Sequence, residues 1–177
     1  INKTIWYEII WMLILAGFVS VSVFLIFHLY EIDLTTMIDV QSDACGLAGV
    51  AHDYVSGIKS GRGVQALLNS LFHAKLETSF LHKIGLFLCC LFFDSFGKAA
   101  NFYYFASYIF VALGMYIALR MLQKEAWLAA IGGVIYTFLP YHYLRGERHI
   151  YLANYYMVPI ACAMIIWLLD ERKERNR

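Results

Sequence analysis

The sequence predicts an all-α protein, a polytopic bundle of transmembrane helices with a long extracytoplasmic first loop that contains interfacial helices. Composition is the first reason, because 61% of the 177 residues are hydrophobic and only 15% are charged, as is typical of membrane proteins. The second reason is that long apolar runs recur along the chain with short polar stretches between them. Aromatic residues, at 17%, suit the two interfaces of a membrane.

Four apolar stretches are predicted to span the membrane, since a span needs roughly 20 apolar residues and about 17 at the least. They cover about residues 5–28, 101–122, 126–140 and 151–169. The third stretch is slightly short, but it ends in proline and aromatic residues, which suits a helix that stops at an interface.

The segment 80–93, FLHKIGLFLCCLFF, has only about ten uninterrupted apolar residues, a length that indicates an interfacial or re-entrant segment. The distribution of charge supports this interpretation. Lysine and arginine near the ends of spans favour the cytoplasm. If 80–93 does not cross, then Lys3, Arg120, Lys124 and the basic C-terminal tail all lie on the cytoplasmic side. Residues 29–100 are therefore predicted to form one outer loop.

The stretch HYLRGERH, residues 142–149, lies on the same outer side in this topology. Arg145 and Arg148 are then exceptions to the cytoplasmic placement of cations. The planar guanidinium group of arginine suits phosphate or carboxylate, so a cationic loop at the outer leaflet is a candidate site for the phosphate of a lipid carrier. The alternative is that these arginines bind ordinary lipid headgroups or pair with Glu147 and other acidic residues.

Asp43 follows Ser42 in the predicted outer loop, at the start of a weakly amphipathic stretch. The local pattern favours a capping role, in which the side chain of Ser42 or Asp43 satisfies free amides at the start of a short helix from about Ala44 to Lys59. The functional alternative is a general base that deprotonates an acceptor hydroxyl. Local pattern leaves both interpretations open.

Several common classes of site have no support in the sequence. It contains no GxSxG, HExxH, GxGxxG or CxxC motif, which leaves soluble hydrolase, zinc and dinucleotide sites without a signature. A net charge of +1 gives no basis for nucleic-acid binding. His142 and His149 are seven residues apart and are not predicted to hold a metal on their own.

A recognisable order of features runs along most of the chain. A first span is followed by an outer loop with the tripeptide SDA, then an interfacial segment, and then NFYYFASYIFVALGMYIALRML and AAIGGVIYTFLPYHYLRGERHIYLANYYMVPI. This order resembles bacterial polytopic membrane proteins of the GT-C glycosyltransferase type, which include YfhO-like membrane proteins and sugar transferases. The resemblance is strongest from Asn101 to Ile160. It is more specific for the family than for the reaction.

The resemblance implies a function, because GT-C enzymes transfer a sugar from a polyprenyl-phosphate or pyrophosphate donor on the outer face to a glycan, lipid or protein acceptor. It implies that Asp43 is the essential acidic residue of the first outer loop, with Asp39 as a neighbour that shares the role. It implies that Arg145, Arg148 and His149 bind the donor phosphate. A multi-pass protein of a bacterial inner membrane, acting in cell-envelope glycan assembly, is expected. No cofactor is assigned, and the need for a divalent metal stays open.

The chain also departs from the family pattern. The loop between Gly61 and Phe80 is short and lacks a glycine- and proline-containing stretch, and further spans are missing, so we expect an N-terminal fragment without a complete site. The competing hypothesis is a non-catalytic membrane protein, either a carrier for lipid-linked sugars or an assembly subunit. A transporter should hold ionisable residues deep in its spans, whereas Glu8 lies near the start of the first span and other charges lie at the ends.

Overall fold

The computed structural model describes residues 3–31, 52, 55–57, 59, 80–93, 95–146 and 150–175. Within these ranges the regular structure is helical, without a strand. The helices, numbered in chain order, are α1 (Lys3–Ile26), α2 (Phe80–Phe92), α3 (Phe96–Met121), α4 (Ala126–Thr137), α5 (Pro140–Gly146), α6 (Ile150–Ala153) and α7 (Met157–Arg175). The predicted all-α class is therefore confirmed for the part of the chain that the structure describes.

Two helices are long and apolar enough to cross a membrane. They comprise 23 residues from Thr4 to Ile26 and 25 residues from Gly97 to Met121, and they coincide with the first two predicted spans. Both carry large apolar side chains on their outer surfaces, among them Leu13, Phe18 and Phe110. Apolar side chains that face outward along a helix of this length suit contact with lipid.

The other two predicted spans correspond to shorter apolar helices. α4 has 12 residues, which is about 18 Å of helix, and the apolar part of α7 is Met157–Asp170. The hydrocarbon core of a bilayer is roughly 30 Å thick, so neither apolar stretch is as long as the core is wide. The crossing of the membrane by 126–140 and 151–169 stays a prediction.

α1 and α3 run antiparallel and pack against each other. Near the start of α1, Glu8 forms an ion pair with Arg120 at the end of α3. Just after α1, the ring of Phe27 contacts Tyr104 and Phe105 in the first half of α3. The start of α1 and the end of α3 therefore lie on the same side of the molecule, as the predicted topology requires. The buried side chains that α1 contributes to the core are Leu15, Val19 and Val23.

α2 packs against one end of α3. A Cβ atom at Gly85 would lie 2.5 Å from Cε2 of Tyr103, so the absence of a side chain at position 85 permits this approach. Further along α2, Cys90 packs with Ala99. Tyr103 and Ala99, which make these contacts with α2, lie in the first two turns of α3. The interfacial location of 80–93 stays a prediction, and a short helix at one end of α3 is consistent with it.

α3 and α4 form an antiparallel hairpin that depends on a glycine. A Cβ atom at Gly133 would lie 2.8 Å from the carbonyl oxygen of Ala112, a backbone atom that no side-chain rotation can move away. At the end of α4, Oγ1 of Thr137 donates a 2.7 Å hydrogen bond to the carbonyl oxygen of Tyr108. α4 therefore extends from the end of α3 only to its middle.

α1 and α3 end in the same way, with a residue in the left-handed conformation. His28 follows α1 with a φ of 49°, and Gln123 follows α3 with a φ of 57°. After α1, the amide of Leu29 bonds to the carbonyl oxygen of Phe24 at 3.1 Å, and the equivalent bond after α3 is 3.0 Å. This arrangement is the Schellman C-cap, in which glycine is the usual left-handed residue.

Candidate functional site

An apolar groove lies between α1, α3 and the residue that follows α2, and it encloses a cavity of about 490 Å³. Two polar side chains line it, those of Ser20 and Lys98. The Ser20 hydroxyl donates a 2.7 Å hydrogen bond to the carbonyl oxygen of Ala16, and Lys98 is the charged one of the two. The other walls are mainly aromatic and aliphatic, and include Phe24, Leu29, Phe93, Phe102, Phe105 and Ile109.

The groove is suited to a chain-like apolar ligand. Pockets of a few hundred Å³ with apolar walls and a small number of polar groups are typical of small-molecule sites, in which the polar groups set the orientation of the ligand. Lys98 lies in the first turn of α3, while Ile109 lies three turns further along the same helix. An extended hydrocarbon chain along α3 would therefore have its anionic end near Lys98.

A charged cluster lies at the opposite end of α1 and α3. The guanidinium group of Arg120 binds both carboxylate oxygens of Glu8, with Nη2 to Oε1 at 2.5 Å and Nε to Oε2 at 3.0 Å. The Tyr116 hydroxyl donates to Oε2 at 2.7 Å, and Nη1 of Arg120 donates to the carbonyl oxygen of Lys124. Glu8, Tyr116 and Arg120 bond to one another, so the cluster joins α1 to α3. Because these polar groups already have partners, few of them are left to bind a ligand.

A neutral polar cluster lies where α5 packs against the middle of α3. His142 is fully buried, and its Nε2 lies 2.8 Å from Oγ of Ser107. The Ser107 hydroxyl also donates a 2.5 Å hydrogen bond to the carbonyl oxygen of Tyr104. Which of Nε2 and Oγ donates in this 2.8 Å contact depends on the tautomer of His142. The other ring nitrogen, Nδ1, is also buried.

Three tyrosine rings enclose the imidazole of His142. The Tyr108 ring stacks on it with a centroid separation of 3.7 Å and an angle of 13° between the planes. Tyr104 and Tyr155 contact it edge to face, with centroid separations of 6.2 and 5.3 Å. The hydroxyls of Tyr104 and Tyr108 are themselves 3.0 Å apart. Stacked and edge-to-face contacts of this kind fix the orientation of a ring.

Burial controls the protonation of this cluster. It lowers the pKa of His142 from 6.5 to about 4, and the backbone of Thr137 partly opposes the shift. Desolvation disfavours the charged imidazolium, and no carboxylate is among the contacts described for His142. The side chain is therefore neutral at pH 7.

The residues predicted as the site lie largely outside this geometry. Asp39, Asp43, Arg148 and His149 are outside the described residues. Arg145 lies in α5, three residues after His142. Their predicted proximity therefore stays a prediction. Within the described ranges, no group of three histidine, cysteine or acidic side chains could hold a metal ion.

Sequence reasoning did not identify His142 and Ser107 as partners. The two residues are 35 positions apart, and neither belongs to a motif that would connect them. The available signal was a histidine two residues after Pro140, at the end of an apolar run, together with a serine inside a predicted span. Polar residues within apolar segments commonly pair with each other, but that rule does not specify which pairs form.

Comparisons with known proteins returned no match, whether to a family model, to a curated protein or to a solved structure.

Proposed function

We propose that this chain is the membrane part of a glycosyltransferase that takes a sugar from a polyprenyl-phosphate donor at the extracytoplasmic face, for cell-envelope glycan assembly. In this proposal the acceptor is a glycan, a lipid or a protein. Asp43, with Asp39, provides the base, while Arg145, Arg148 and His149 bind the donor phosphate.

The observation that best supports the proposal is the groove that contains Lys98. A polyprenyl phosphate is a long hydrocarbon chain with an anionic head, and the groove combines apolar walls with one cation in a cavity of about 490 Å³. Burial of a hydrocarbon chain contributes about 0.8 kcal/mol per CH₂ group. The ammonium group of Lys98 adds a charge-assisted contact to phosphate.

The orientation of the helices supports an outer location for the donor. Lys3, Arg120 and Lys124 lie toward one end of the α1–α3 pair, and the groove lies toward the other. The preference of lysine and arginine for the cytoplasmic side assigns the first end to the cytoplasm. The groove then opens toward the outer leaflet, where lipid-linked sugars serve as donors for envelope glycans.

The proposed reaction is a transfer with inversion at the anomeric carbon. Asp43 accepts the proton of the acceptor hydroxyl as that oxygen forms a bond to the anomeric carbon. The bond between the anomeric carbon and the phosphate oxygen breaks, and its electron pair leaves with the polyprenyl phosphate. Arg145 and Arg148 stabilise the charge that develops on this phosphate, an effect that is commonly a large part of catalysis.

Photo-crosslinking tests the binding step. The full-length protein in nanodiscs is labelled with a farnesyl phosphate that carries a benzophenone. Ala106→Trp, which places an indole in the groove, and Lys98→Gln are each expected to reduce labelling about tenfold. Ile135→Trp is the matched control, because Ile135 is exposed on α4 away from the groove. Equal labelling of all three variants would contradict the assignment of the groove.

Sugar transfer distinguishes the enzyme from the alternative, a non-catalytic carrier or assembly subunit. With a radiolabelled lipid-linked sugar, Asp43→Asn in the full-length protein is expected to reduce transfer by about 100-fold while photo-crosslinking stays at the wild-type level. Arg145→Ala and Arg148→Ala are expected to weaken both. Efficient labelling of the wild-type protein without any transfer would favour the carrier.

A further inference from the structure

A smaller cavity, of about 270 Å³, lies between the end of α1, the middle of α3 and the junction of α4 with α5. Four of the six described residues that line it are aromatic, and they are named here the aromatic cage: Phe27, Tyr108, Phe138 and Tyr143. We propose that the aromatic cage binds the quaternary ammonium headgroup of a membrane lipid. This site is independent of the proposed function, because none of the four residues lines the groove near Lys98.

The four rings form a continuous row along the lining of the cavity. Consecutive ring centroids lie 5.6 to 5.8 Å apart, in the order Tyr143, Phe27, Tyr108 and Phe138. The planes of Phe27 and Tyr108 are inclined at 71°, so these two rings form adjacent walls instead of a parallel stack. Aromatic residues arranged as adjacent walls present the negative faces of several rings to one cation, as in the sites that recognise quaternary ammonium ligands.

The aromatic cage has a buried floor and an open rim. Tyr108 is 1% exposed, and His142 stacks on one face of its ring, which leaves the opposite face for a ligand. Phe27 and Phe138 are half-buried. The rim consists of the exposed lining residues, which are Tyr143, Ile26 and Leu139. A headgroup can therefore enter from the surface and reach the ring of Tyr108.

The scarcity of polar groups in the cage selects the kind of cation. The described lining residues include no acidic or basic side chain, and the hydroxyl of Tyr108 lies 3.0 Å from that of Tyr104. A primary ammonium group has three N–H donors, and it loses free energy where too few acceptors meet them. A quaternary ammonium group has no N–H donor and presents methyl groups to the rings while it keeps its charge. Apolar aromatic walls therefore favour the quaternary group.

The location of the cage indicates that a lipid supplies this headgroup. The outer surface of α1 is apolar as far as Ile26, and the exposed polar side chain of His28 follows. From Glu8 to Ile26, α1 rises about 27 Å, which is close to the thickness of the hydrocarbon core of a bilayer, roughly 30 Å. The cage therefore lies near one boundary of the apolar layer. Acyl chains that pack against exposed side chains such as Leu25 would place the headgroup at the cage.

Lipid titration followed by native mass spectrometry tests the headgroup preference. The full-length protein in a maltoside detergent is titrated with phosphatidylcholine and with phosphatidylethanolamine that carry the same acyl chains. Phosphatidylcholine is expected to bind about tenfold more tightly. Tetramethylammonium chloride, which supplies the cation without acyl chains, is expected to compete only at concentrations about 100-fold higher than the lipid. Equal affinities for the two lipids, or equal potency of tetramethylammonium and phosphatidylcholine, would overturn the proposal.

Two exposed tyrosines of α5 supply a matched pair of variants. Tyr143→Leu removes one ring of the cage and keeps an apolar side chain, so it is expected to lower the preference for phosphatidylcholine about threefold. Tyr141 is 46% exposed and is not among the lining residues, so Tyr141→Leu should leave the preference unchanged. Tyr143→Phe keeps the ring and should bind as the wild type does. Equal effects of the two leucine substitutions would mean that the cage does not hold the headgroup.

Ring fluorination separates the attraction between cation and ring from simple apolar contact. Fluorine withdraws electrons from the ring, which weakens its negative face and leaves its shape nearly unchanged. Starting from Tyr143→Phe, the same position is given a phenylalanine with one, two and then three ring fluorines. The affinity for phosphatidylcholine is expected to fall with each fluorine. An affinity that stays constant or rises would indicate an ordinary apolar pocket and would overturn the proposal. None of these measurements involves sugar transfer, so they decide this proposal whatever the outcome for the proposed function.

Discussion

The two polar clusters of this protein use different chemistry to join helices. Glu8, Tyr116 and Arg120 form a charged cluster at one end of the α1–α3 pair, where the Glu8 and Arg120 side chains are 25 and 30% exposed. His142 and Ser107 form a neutral cluster against the middle of α3, where both side chains are fully buried. Full charges are found where solvent reaches, and uncharged groups are found where it does not.

Desolvation explains this division. A charge removed from water loses several kcal/mol of hydration, which a partner recovers only with good geometry. Partial exposure at the helix ends keeps that loss small for the Glu8–Arg120 pair. At the middle of α3 the loss would be large, and a histidine whose pKa is lowered to about 4 avoids it by staying neutral. The two clusters should therefore respond differently to pH, to salt and to substitution.

Acid should affect the neutral cluster most strongly. The pKa of His142 is lowered from 6.5 to about 4, so the unfolded chain binds the proton more readily than the folded one. The stability that follows is complete above about pH 6.5 and is lost as the pH falls toward 4, with a total of about 3 kcal/mol. Unfolding by sodium dodecyl sulfate in mixed micelles across this range measures the loss.

The control for this prediction is His142→Gln, which does not titrate. Subtraction of its pH profile removes the contributions of other groups. A difference profile that is flat between pH 4 and 6.5 would show that burial does not hold His142 neutral.

Removal of the partner of His142 should have the second largest effect. Ser107→Ala nearly keeps the volume of the side chain but leaves the buried Nε2 of His142 without its hydrogen-bond partner, which costs about 2 kcal/mol. Unfolding in micelles at pH 7 measures the change in the free energy of unfolding. Ser20→Ala is the matched control, since Ser20 is exposed and bonds only within its own helix. Equal effects of the two substitutions would contradict a special role for Ser107.

Neutralisation of the charged cluster should have a smaller effect that depends on salt. Glu8→Gln keeps the shape of the side chain and removes the ion pair with Arg120, at a cost of about 1 kcal/mol for a pair with this exposure. Because salt screens exposed charges, the difference between Glu8→Gln and wild type should shrink in about 1 M NaCl. The effect of Ser107→Ala should not change with salt. An equal salt dependence of both would remove the distinction between the clusters.

Glycine at the end of α3 should have the smallest effect and the opposite sign. Gln123 has a φ of 57°, a conformation that costs an ordinary residue about 1 kcal/mol and costs glycine nothing. Gln123→Gly is expected to raise the free energy of unfolding by about 0.5 kcal/mol after the added flexibility of the unfolded chain is subtracted. Gln123→Ala is the control and should not stabilise. The same comparison at His28 tests whether both helix ends behave alike.

Much of the helical architecture follows from local features of the sequence. Long apolar runs with charges at their ends predict the two helices now described as α1 and α3, and the antiparallel order of these helices agrees with the distribution of Lys3, Arg120 and Lys124. These properties depend on composition and on residues close together in the chain, so one sequence is sufficient. The helices of segment 126–169 were harder to predict. An apolar run does not reveal that these helices are short, or that Pro140 and the residues around Tyr155 interrupt them.

For the candidate site as well, the sequence predicts some features and the tertiary structure decides others. Asp39, Asp43, Arg145, Arg148 and His149 were chosen from charge, position and family resemblance, and their assembly into a site stays a prediction. The sequence alone determined that the protein is helical and apolar, because those properties are sums over neighbouring residues. Only the tertiary structure decided that Glu8 meets Arg120 across 112 positions and that His142 meets Ser107 across 35. Such pairs depend on how helices pack, and packing energy arises between residues that are distant in sequence.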